Sequence, residues 1–392
     1  MSLNTACFRR RAAGLLLSAL LLAGFFVNAG ALTLAQSPMA TPSLSAQSAI
    51  LIDAADGQVF FARNADREMP MASTTKIMTA LLLLEAGGAE EIFTVTKEMV
   101  TVEGTSMGLL PGNQVSRYAL ACGMLLASGN DAANAAAYWM DGSLPAFARR
   151  MNERAAALGM AHTYFVTPSG LDTQGHYSTA SDMALLARVA LQNPAFREIC
   201  GRRTVRVAFG SPPYLRTITN HNKLLGTLEG CIGVKTGFTK KSGRCLISAA
   251  ERNGVTLIAV TLNAPDDWED HRRLYDFGFS LFHPIPLEDG GGNILLPVVG
   301  GKAGVLRLQP AWVPVAQLRS FPDNIRREIL MRPFEYAPLD KGGVLGLARY
   351  YTGTRLLAEV PLVAENSVAQ RTAQAAQKLS LWQRILRFFR KD

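Results

Sequence analysis

The segment Ser73-Thr74-Thr75-Lys76 stands directly before an apolar run, Ile77 to Leu84, that constrains how this chain folds. The run is apolar nearly all round, which predicts a central helix rather than a surface helix. If that helix begins near Ser73, the side chains of Ser73 and Lys76 lie three residues apart on one face and meet. A desolvated amine loses its proton more easily, so this pair can make a serine nucleophile without histidine.

Two further motifs accompany this pair, although a single Ser-x-x-Lys is weak evidence in a long chain. Ser128-Gly129-Asn130 follows a helix predicted over residues 118–126 and precedes another that starts at Asp131. Lys235-Thr236-Gly237 lies in residues 233–239, which are predicted to begin a strand. The three motifs together indicate one chemical site.

The pattern of strands and helices predicts an α/β fold with a mainly antiparallel sheet, flanking helices and an inserted helical region. Strands are expected at residues 49–53, 58–62, 204–209, 233–239, 245–251 and 256–262. We expect the N-terminal hairpin and these later strands to share one sheet. Asp56-Gly57 and Asn253-Gly254 are typical hairpin turns. Helices are expected over most of residues 86–200 and over residues 268–282.

The composition divides the chain into five predicted segments. Residues 1–31 form a signal peptide, since Arg9 to Arg11 precede an apolar run and small residues. Cleavage is expected after Ala31, or after Ala35 as a second choice, and an uncleaved anchor is the alternative. A linker (32–46) and the main α/β domain (47–283) follow. Glycine pairs and prolines then break up short apolar runs, which predicts a small all-β domain over residues 284–364.

The last segment, residues 365–392, is predicted to be a polar linker and an amphipathic helix. Its apolar residues fall within an arc of about 160° at about 100° per residue, with cationic residues opposite. The apolar side contains Leu381, Trp382, Ile385, Leu386, Phe388 and Phe389. Such a helix suits an anionic membrane surface, and packing on the protein itself is the alternative. The export signal and this helix predict an exported protein, periplasmic or on the outer face of the cytoplasmic membrane.

The net charge of +9 favours polyanionic partners, among which anionic lipids and cell-wall polymers are candidates. We expect no nucleic-acid partner, because the sequence has no zinc-finger spacing, Arg-rich run or basic helix-turn-helix pattern. Four cysteines remain after the signal peptide, and they show no metal spacing. Cys231 and Cys245 could face each other across adjacent strands, while unpaired buried thiols for Cys122, Cys200 and this pair are the alternative.

The five histidines do not indicate a Ser-His triad or a metal site, because no Gly-x-Ser-x-Gly and no His-Glu-x-x-His occurs. We therefore expect neither a metal nor a cofactor. His221, in Thr219-Asn220-His221-Asn222-Lys223, is the one histidine kept as a candidate substrate contact.

Ser-x-x-Lys, Ser-x-Asn and Lys-Thr-Gly in this order resemble the penicillin-binding protein and serine β-lactamase superfamily. The surrounding sequences MASTTKIMTALLLLE, LLASGNDAANA and GVKTGFTKKSGRCLISAAER are similar to the low-molecular-weight D-alanyl-D-alanine carboxypeptidases. The likeness runs from about Ala49 to Phe282. It implies that residues 47–283 are a serine peptidase (transpeptidase-like) domain, followed by the family's β-domain and tail.

The resemblance implies that Ser73 attacks the bond between two D-alanines of a peptidoglycan stem peptide, with Lys76 as the base. Ser128 would relay a proton, and Asn130 would orient the substrate amide and Lys76. Lys235 and Thr236 would bind the terminal carboxylate. Gly237 would let the substrate lie along the strand edge, and the N–H groups of Ser73 and Phe238 would stabilise the oxyanion. β-Lactam antibiotics would act as covalent inhibitors.

Three alternatives stay open. A β-lactamase would need an extra base for fast deacylation, and the corresponding region offers Pro168-Ser169-Gly170-Leu171 instead of Glu-x-x-Leu-Asn. An endopeptidase of the same fold would cut cross-links, but lacks a long C-terminal domain. A catalytically silent envelope-binding protein would use the β-domain and tail as an interaction platform.

Overall fold

A computed structural model describes residues 40–287, 293–320 and 324–372 of the chain. The predicted signal peptide with its two cleavage sites, most of the linker and the amphipathic helix lie outside these residues and stay predictions. The boundaries of the five predicted segments also stay predictions. None of the helices within the described ranges is long and apolar enough to cross a membrane.

Residues 48–262 contain nine strands, five of which form the main sheet. They are β1 (Ser48–Asp53), β2 (Val59–Arg63), β3 (Ile92–Thr94), β4 (Gln114–Ser116), β5 (Thr204–Gly210), β6 (Pro213–Thr219), β7 (Cys231–Thr239), β8 (Gly243–Arg252) and β9 (Val255–Leu262). The main sheet is antiparallel and has the order β2-β1-β9-β8-β7. This order joins the N-terminal hairpin to the late strands, as predicted, and leaves β7 at an edge.

Eight helices accompany these strands in residues 76–280, and a 3₁₀ turn (Ala72–Thr75) leads directly into the first. They are α1 (Lys76–Glu85), α2 (Lys97–Val100), α3 (Arg117–Leu125), α4 (Asn130–Asp141), α5 (Leu144–Leu158), α6 (Ala180–Ala190), α7 (Pro194–Gly201) and α8 (Asp267–Ser280). The helix α1 is buried from Lys76 to Leu83, which confirms the prediction of a central helix. Thr179 caps α6 by accepting a hydrogen bond from the Asp182 N–H.

The main sheet separates two hydrophobic cores, because successive side chains of a strand point to opposite faces. In β1, Ile50 and Ile52 pack in the core that contains α1. Ala49 and Leu51 pack in the other core, together with Leu274 of α8. The central strand β9 is buried almost throughout, since α6 lies against one side and α8 against the other. This burial explains why apolar residues occupy both faces of β9.

The strand predicted at residues 204–209 does not belong to the main sheet. It forms β5, which pairs with β6 and joins β3 and β4 in a separate four-stranded sheet, in the order β3-β4-β5-β6. The expectation of one sheet was wrong here because β6 was not predicted. Its segment begins with Pro213, a residue that argues against a strand unless it lies at a strand end.

Of the two alternatives left open for the cysteines, the structure supports unpaired thiols. Cys231 lies opposite Ala250 and Cys245 lies opposite Gly237, so the register of β7 and β8 separates the two thiols. All four cysteines of the described chain are free. Burial raises the pKa of Cys122 and Cys200 to about 12, which makes these thiols unreactive.

Strands fill the C-terminal part of the described chain, which we call the β region (residues 283–372). They are β10 (His283–Pro286), β11 (Ile294–Val299), β12 (Val305–Pro310), β13 (Val315–Leu318), β14 (Arg326–Met331), β15 (Glu335–Tyr336), β16 (Val344–Thr352) and β17 (Arg355–Ala364). Six form a sheet in the order β14-β16-β17-β12-β11-β15, and β10 pairs with β13. Alternate residues of β11 are buried, which is the pattern of a half-buried strand. The all-β prediction for this part is confirmed.

Candidate active site

The 3₁₀ turn brings Ser73 and Lys76 together at the start of α1. Ser73 is partly exposed, whereas the Lys76 side chain is fully buried. The Lys76 Nζ lies 2.9 Å from the Ser73 Oγ. This distance confirms the geometry that the spacing predicted, and it puts a hydroxyl facing solvent against an amine that is shielded from it.

Two other contacts decide how the Lys76 amine is oriented. Its Nζ donates to the Asn130 Oδ1 at 2.7 Å and to the Ser169 carbonyl oxygen at 2.6 Å. Both of these oxygens are acceptors only, so they take up two N–H bonds. A neutral amine then has one lone pair left for its third neighbour, the Ser73 hydroxyl. The contacts therefore aim a base at Ser73.

Burial favours the neutral form of this amine. The pKa of Lys76 lies well below its ordinary value, chiefly because the group is desolvated and also because the cation of Lys235 repels it. The Asp131 carboxylate acts in the opposite direction. A lysine in this setting can accept a proton near neutral pH.

Asn130 is the first residue of α4, and Ser128 and Gly129 connect α3 to it, as the motif predicted. The Asn130 Nδ2 donates to the Glu103 carbonyl oxygen at 2.7 Å, which fixes the amide so that its oxygen faces Lys76. Ser128 is buried and has a φ of 61°, a left-handed conformation that is unusual for serine. This tight connection directs Ser128 into the cleft beside Ser73.

The edge strand β7 forms the opposite wall of the cleft. Thr236, Gly237 and Phe238 line it together with Ser73. A Cβ atom at Gly237 would lie 3.1 Å from the backbone nitrogen of Ser73, so glycine is what allows the strand to pass this close to the turn. The approach sets the backbone of β7 beside the nucleophile.

Lys235 is 1% exposed, and its Nζ donates to the Thr236 carbonyl oxygen at 2.8 Å. Burial lowers the pKa of Lys235 to about 7. In the described structure its neighbours supply no carboxylate, so an anion entering the cleft would compensate this buried charge.

His221 also lines the cleft, where the sequence left its role open. Partial burial lowers the pKa of His221, and the nearby Lys235 cation adds to this effect. The ring is therefore largely neutral at neutral pH.

The cleft has a volume of about 340 Å³, and several of its lining residues were not predicted from the sequence. They are Thr105, Lys223, Arg244, Asp267 and Trp268. Arg244 lies opposite Phe238 in the β7–β8 pair, and its Nη2 contacts the buried Asp267 Oδ1 at 2.7 Å. The hairpin register could have revealed Arg244, whereas Thr105 and Asp267 arrive from distant segments with no local signal.

The sequence profile of the D-alanyl-D-alanine carboxypeptidase family matches residues 35–266, more than half of the chain. The chain belongs to this family. The carboxypeptidase DacF of Bacillus subtilis is 32% identical over 82% of this chain and 86% of its own length. The crystal structure of the carboxypeptidase DacD from Francisella tularensis covers 88% of this chain with a TM-score of 0.59 and 25% identity. Penicillin binding protein 5 from Haemophilus influenzae covers 85%, with a TM-score of 0.59 and 26% identity.

These comparisons confirm the resemblance that the three motifs indicated, and they confirm the fold class. The similarity to DacF and to both structures extends beyond residue 266, the end of the profile match. The β region is therefore also part of what this chain shares with its relatives.

Proposed function

We propose that this protein is a serine carboxypeptidase that removes the terminal D-alanine from peptidoglycan stem peptides through an acyl-enzyme on Ser73. The observation that carries the proposal is the Lys76 amine, held 2.9 Å from the Ser73 Oγ by two acceptor-only oxygens. The family membership supplies the substrate, a peptide ending in D-Ala-D-Ala.

In the first step, the Ser73 Oγ attacks the carbonyl carbon between the two D-alanines while Lys76 takes the hydroxyl proton. The N–H groups of Ser73 and Phe238 stabilise the oxyanion, which the close passage of β7 at Gly237 supports. Ser128 relays the proton from Lys76 to the departing amine, so Lys76 is neutral again and Ser128 keeps its hydroxyl hydrogen. The C–N bond breaks, free D-alanine leaves, and an ester to Ser73 remains.

In the second step, water attacks this ester and Lys76 again removes the proton. The C–O bond to Ser73 breaks, the hydroxyl recovers its hydrogen, and the shortened peptide leaves. Asn130 keeps Lys76 and the substrate amide in place during both steps.

The terminal carboxylate of the substrate binds at Lys235 and Thr236. A cation and a hydroxyl are suitable partners for a carboxylate, and Arg244, Lys223 and His221 line the same cleft. A peptide without this terminal carboxylate leaves Lys235 uncompensated. The preference for a C-terminal D-alanine therefore arises on β7.

The direct test is to incubate the protein with a stem pentapeptide and to measure free D-alanine, with Ser73→Ala as the control. We expect release by the wild type and none by the variant. Penicillin-labelled wild-type protein that releases no D-alanine would exclude the carboxypeptidase function. Rapid turnover of penicillin would indicate a β-lactamase, and cleavage of a cross-linked dimer alone would indicate an endopeptidase.

We also propose that the protein is exported and attaches to the outer face of the cytoplasmic membrane through residues 379–392. The support is the basic and apolar pattern of the two chain ends. Deleting residues 379–392 is expected to move the protein from the membrane fraction to the soluble fraction. Unchanged fractionation would refute the anchor.

A further inference from the structure

His176 lies in the segment between α5 and α6, and the reaction described above does not use it. Its side chain is buried. The Nδ1 atom accepts a hydrogen bond from the Val166 backbone N–H at 2.9 Å, so this nitrogen carries no hydrogen. In the neutral ring, Nε2 must then carry the hydrogen, and it donates to the Thr75 Oγ1 at 2.9 Å.

The ring is neutral near pH 7. Burial lowers the pKa of His176 to about 4, and the Asp172 carboxylate on the same segment opposes this only in part. On the other side of the ring lies Thr75, which precedes Lys76 in the chain. The Lys76 amine is neutral when it acts, so it does not disfavour a proton on His176. The two hydrogen bonds of His176 are therefore present near pH 7.

Thr75 links His176 to the turn that contains Ser73. Its hydroxyl donates to the Ala72 carbonyl oxygen at 2.8 Å. Ala72, the residue before Ser73, has a φ of 48°, which is strained for a residue with a side chain. The hydrogen-bonded pair His176–Thr75 thus holds a strained turn at the nucleophile.

The same histidine holds the segment that contacts Lys76 from the other side. Val166 begins a stretch that continues to Ser169, whose carbonyl oxygen accepts from the Lys76 Nζ at 2.6 Å. Thr79 of α1 anchors this stretch by donating to the Pro168 carbonyl oxygen at 2.7 Å. At Gly170 a Cβ atom would lie 1.9 Å from the Ala72 oxygen, so the stretch and the turn interlock.

We propose that His176 is a positioning residue: it ties the Ser73 turn to the 166–170 stretch and so keeps the Lys76 lone pair directed at Ser73. The inference rests on the proposed function only in taking Ser73 and Lys76 as the acylating pair. His176 touches neither the substrate nor the reacting atoms.

The test uses the full-length protein and the second-order rate of acylation by a fluorescent penicillin, measured across pH. His176→Asn keeps an acceptor near the Nδ1 position but cannot reach Thr75. Thr75→Val removes the other partner and leaves His176 with Val166. Thr75→Ser keeps the hydroxyl and is the conservative rescue.

We expect His176→Asn and Thr75→Val each to lower the acylation rate about tenfold, because a small misplacement of a reacting pair is costly. The double variant should also lose only about tenfold, because both substitutions remove the same hydrogen bond between His176 and Thr75. Independent effects would multiply to a loss of about a hundredfold. Thr75→Ser should stay near the wild-type rate. In His176→Asn and Thr75→Val, looser packing around Lys76 should admit water and raise the pKa of Lys76. The acidic limb of the pH–rate profile should then move to higher pH.

His271 provides the control, since it is another buried histidine whose two ring nitrogens are both hydrogen-bonded. Its Nδ1 contacts the Ser248 Oγ at 2.6 Å and its Nε2 contacts the Thr261 Oγ1 at 2.9 Å, away from the cleft. His271→Asn should lower the unfolding temperature without moving the acidic limb.

Three results would overturn the proposal. They are wild-type acylation by both His176→Asn and Thr75→Val, a multiplicative double variant, or an equal shift of the acidic limb in His271→Asn. The assay is independent of D-alanine release. A wild type that reacts with penicillin but releases no D-alanine would refute the proposed function. The inference about His176 could still be tested, because it is measured by the acylation rate.

Discussion

The Ser73 site and the core of the β region both contain buried side chains, but these side chains differ in chemistry. Two lysines next to the residues that line the cleft, Lys76 and Lys235, are almost wholly buried. The buried side chains in the described part of the β region are aliphatic or aromatic, such as Leu296 and Leu362. Its arginines lie at the surface, as Arg349 does in its contact with Glu359.

This difference separates a region built for chemistry from a region built for stability. Burying a charge is costly, so a buried lysine is retained where its altered pKa has a use. An apolar core stabilises a fold by removing nonpolar surface from water. We therefore expect substitutions in the cleft to change rates and substitutions in the β region to change stability.

The largest effect is expected at Lys76. Lys76→Met removes the base, and general-base catalysis contributes about 10²–10⁴-fold, so acylation by penicillin should fall by about that factor. The measurement is the second-order acylation rate. Lys241→Met, an exposed lysine at the turn after β7, is the control and should keep the wild-type rate. Equal acylation by Lys76→Met and the control would contradict the base assignment.

The next effect is expected in the β region. Leu362 is fully buried in β17, and Leu362→Ala should lower the free energy of unfolding by about 2–5 kcal/mol. D-alanine release below the unfolding temperature should be unchanged. Val344→Ala, on an exposed side chain of β16, is the matched control and should cost far less. If folded Leu362→Ala released D-alanine more slowly than the wild type, the claim that the β region affects stability and not rate would be contradicted.

A smaller effect should link Lys235 to the pH dependence of stability. Burial lowers the pKa of Lys235 from 10.5 to about 7 in the folded chain, so the unfolded chain binds more protons between these values. Stability from this group therefore rises with pH over that window, by up to about 1.4 kcal/mol per pH unit. Urea unfolding of the wild type and of Lys235→Met, compared at several pH values, measures it. If the unfolding free energy of the wild type minus that of Lys235→Met does not rise with pH over this window, the lowered pKa of Lys235 is refuted.

The smallest effect is expected at the surface of the β region. Arg349→Gln breaks the 2.6 Å contact with Glu359, but both side chains are well exposed and solvent screens the pair. Thermal unfolding and D-alanine release should both match the wild type within error. A clear loss of activity would show that this surface has a role in the reaction.

The sequence predicted the fold class and the contact between Ser73 and Lys76, but it did not predict every strand pairing. Ser73 and Lys76 could be paired from spacing alone, because three residues on one helical turn fix their distance. The hairpin β8–β9 followed from Asn253-Gly254, a local signal. These predictions depend on short stretches of chain, where geometry follows from a few residues.

The parts that sequence reasoning missed depend on distant contacts. Nothing near Ser169 indicates that its carbonyl oxygen meets Lys76, 93 residues earlier in the chain. The separate sheet around β5 was not predicted, because Pro213 argues against a strand at the position of β6. Arg244 lies just before the strand predicted at residues 245–251, and its position opposite Phe238 in the β7–β8 hairpin brings it to the cleft. The contact of Ser169 with Lys76 depends on tertiary packing, and no local pattern encodes it.

The central claim is that Ser73 is the nucleophile that Lys76 activates. The most direct measurement is to trap the protein with penicillin, digest it and determine by mass spectrometry which peptide has gained the mass of the drug. The account predicts a single adduct on Ser73, absent from Ser73→Ala. An adduct on Ser128, or labelling that persists in Ser73→Ala, would contradict it.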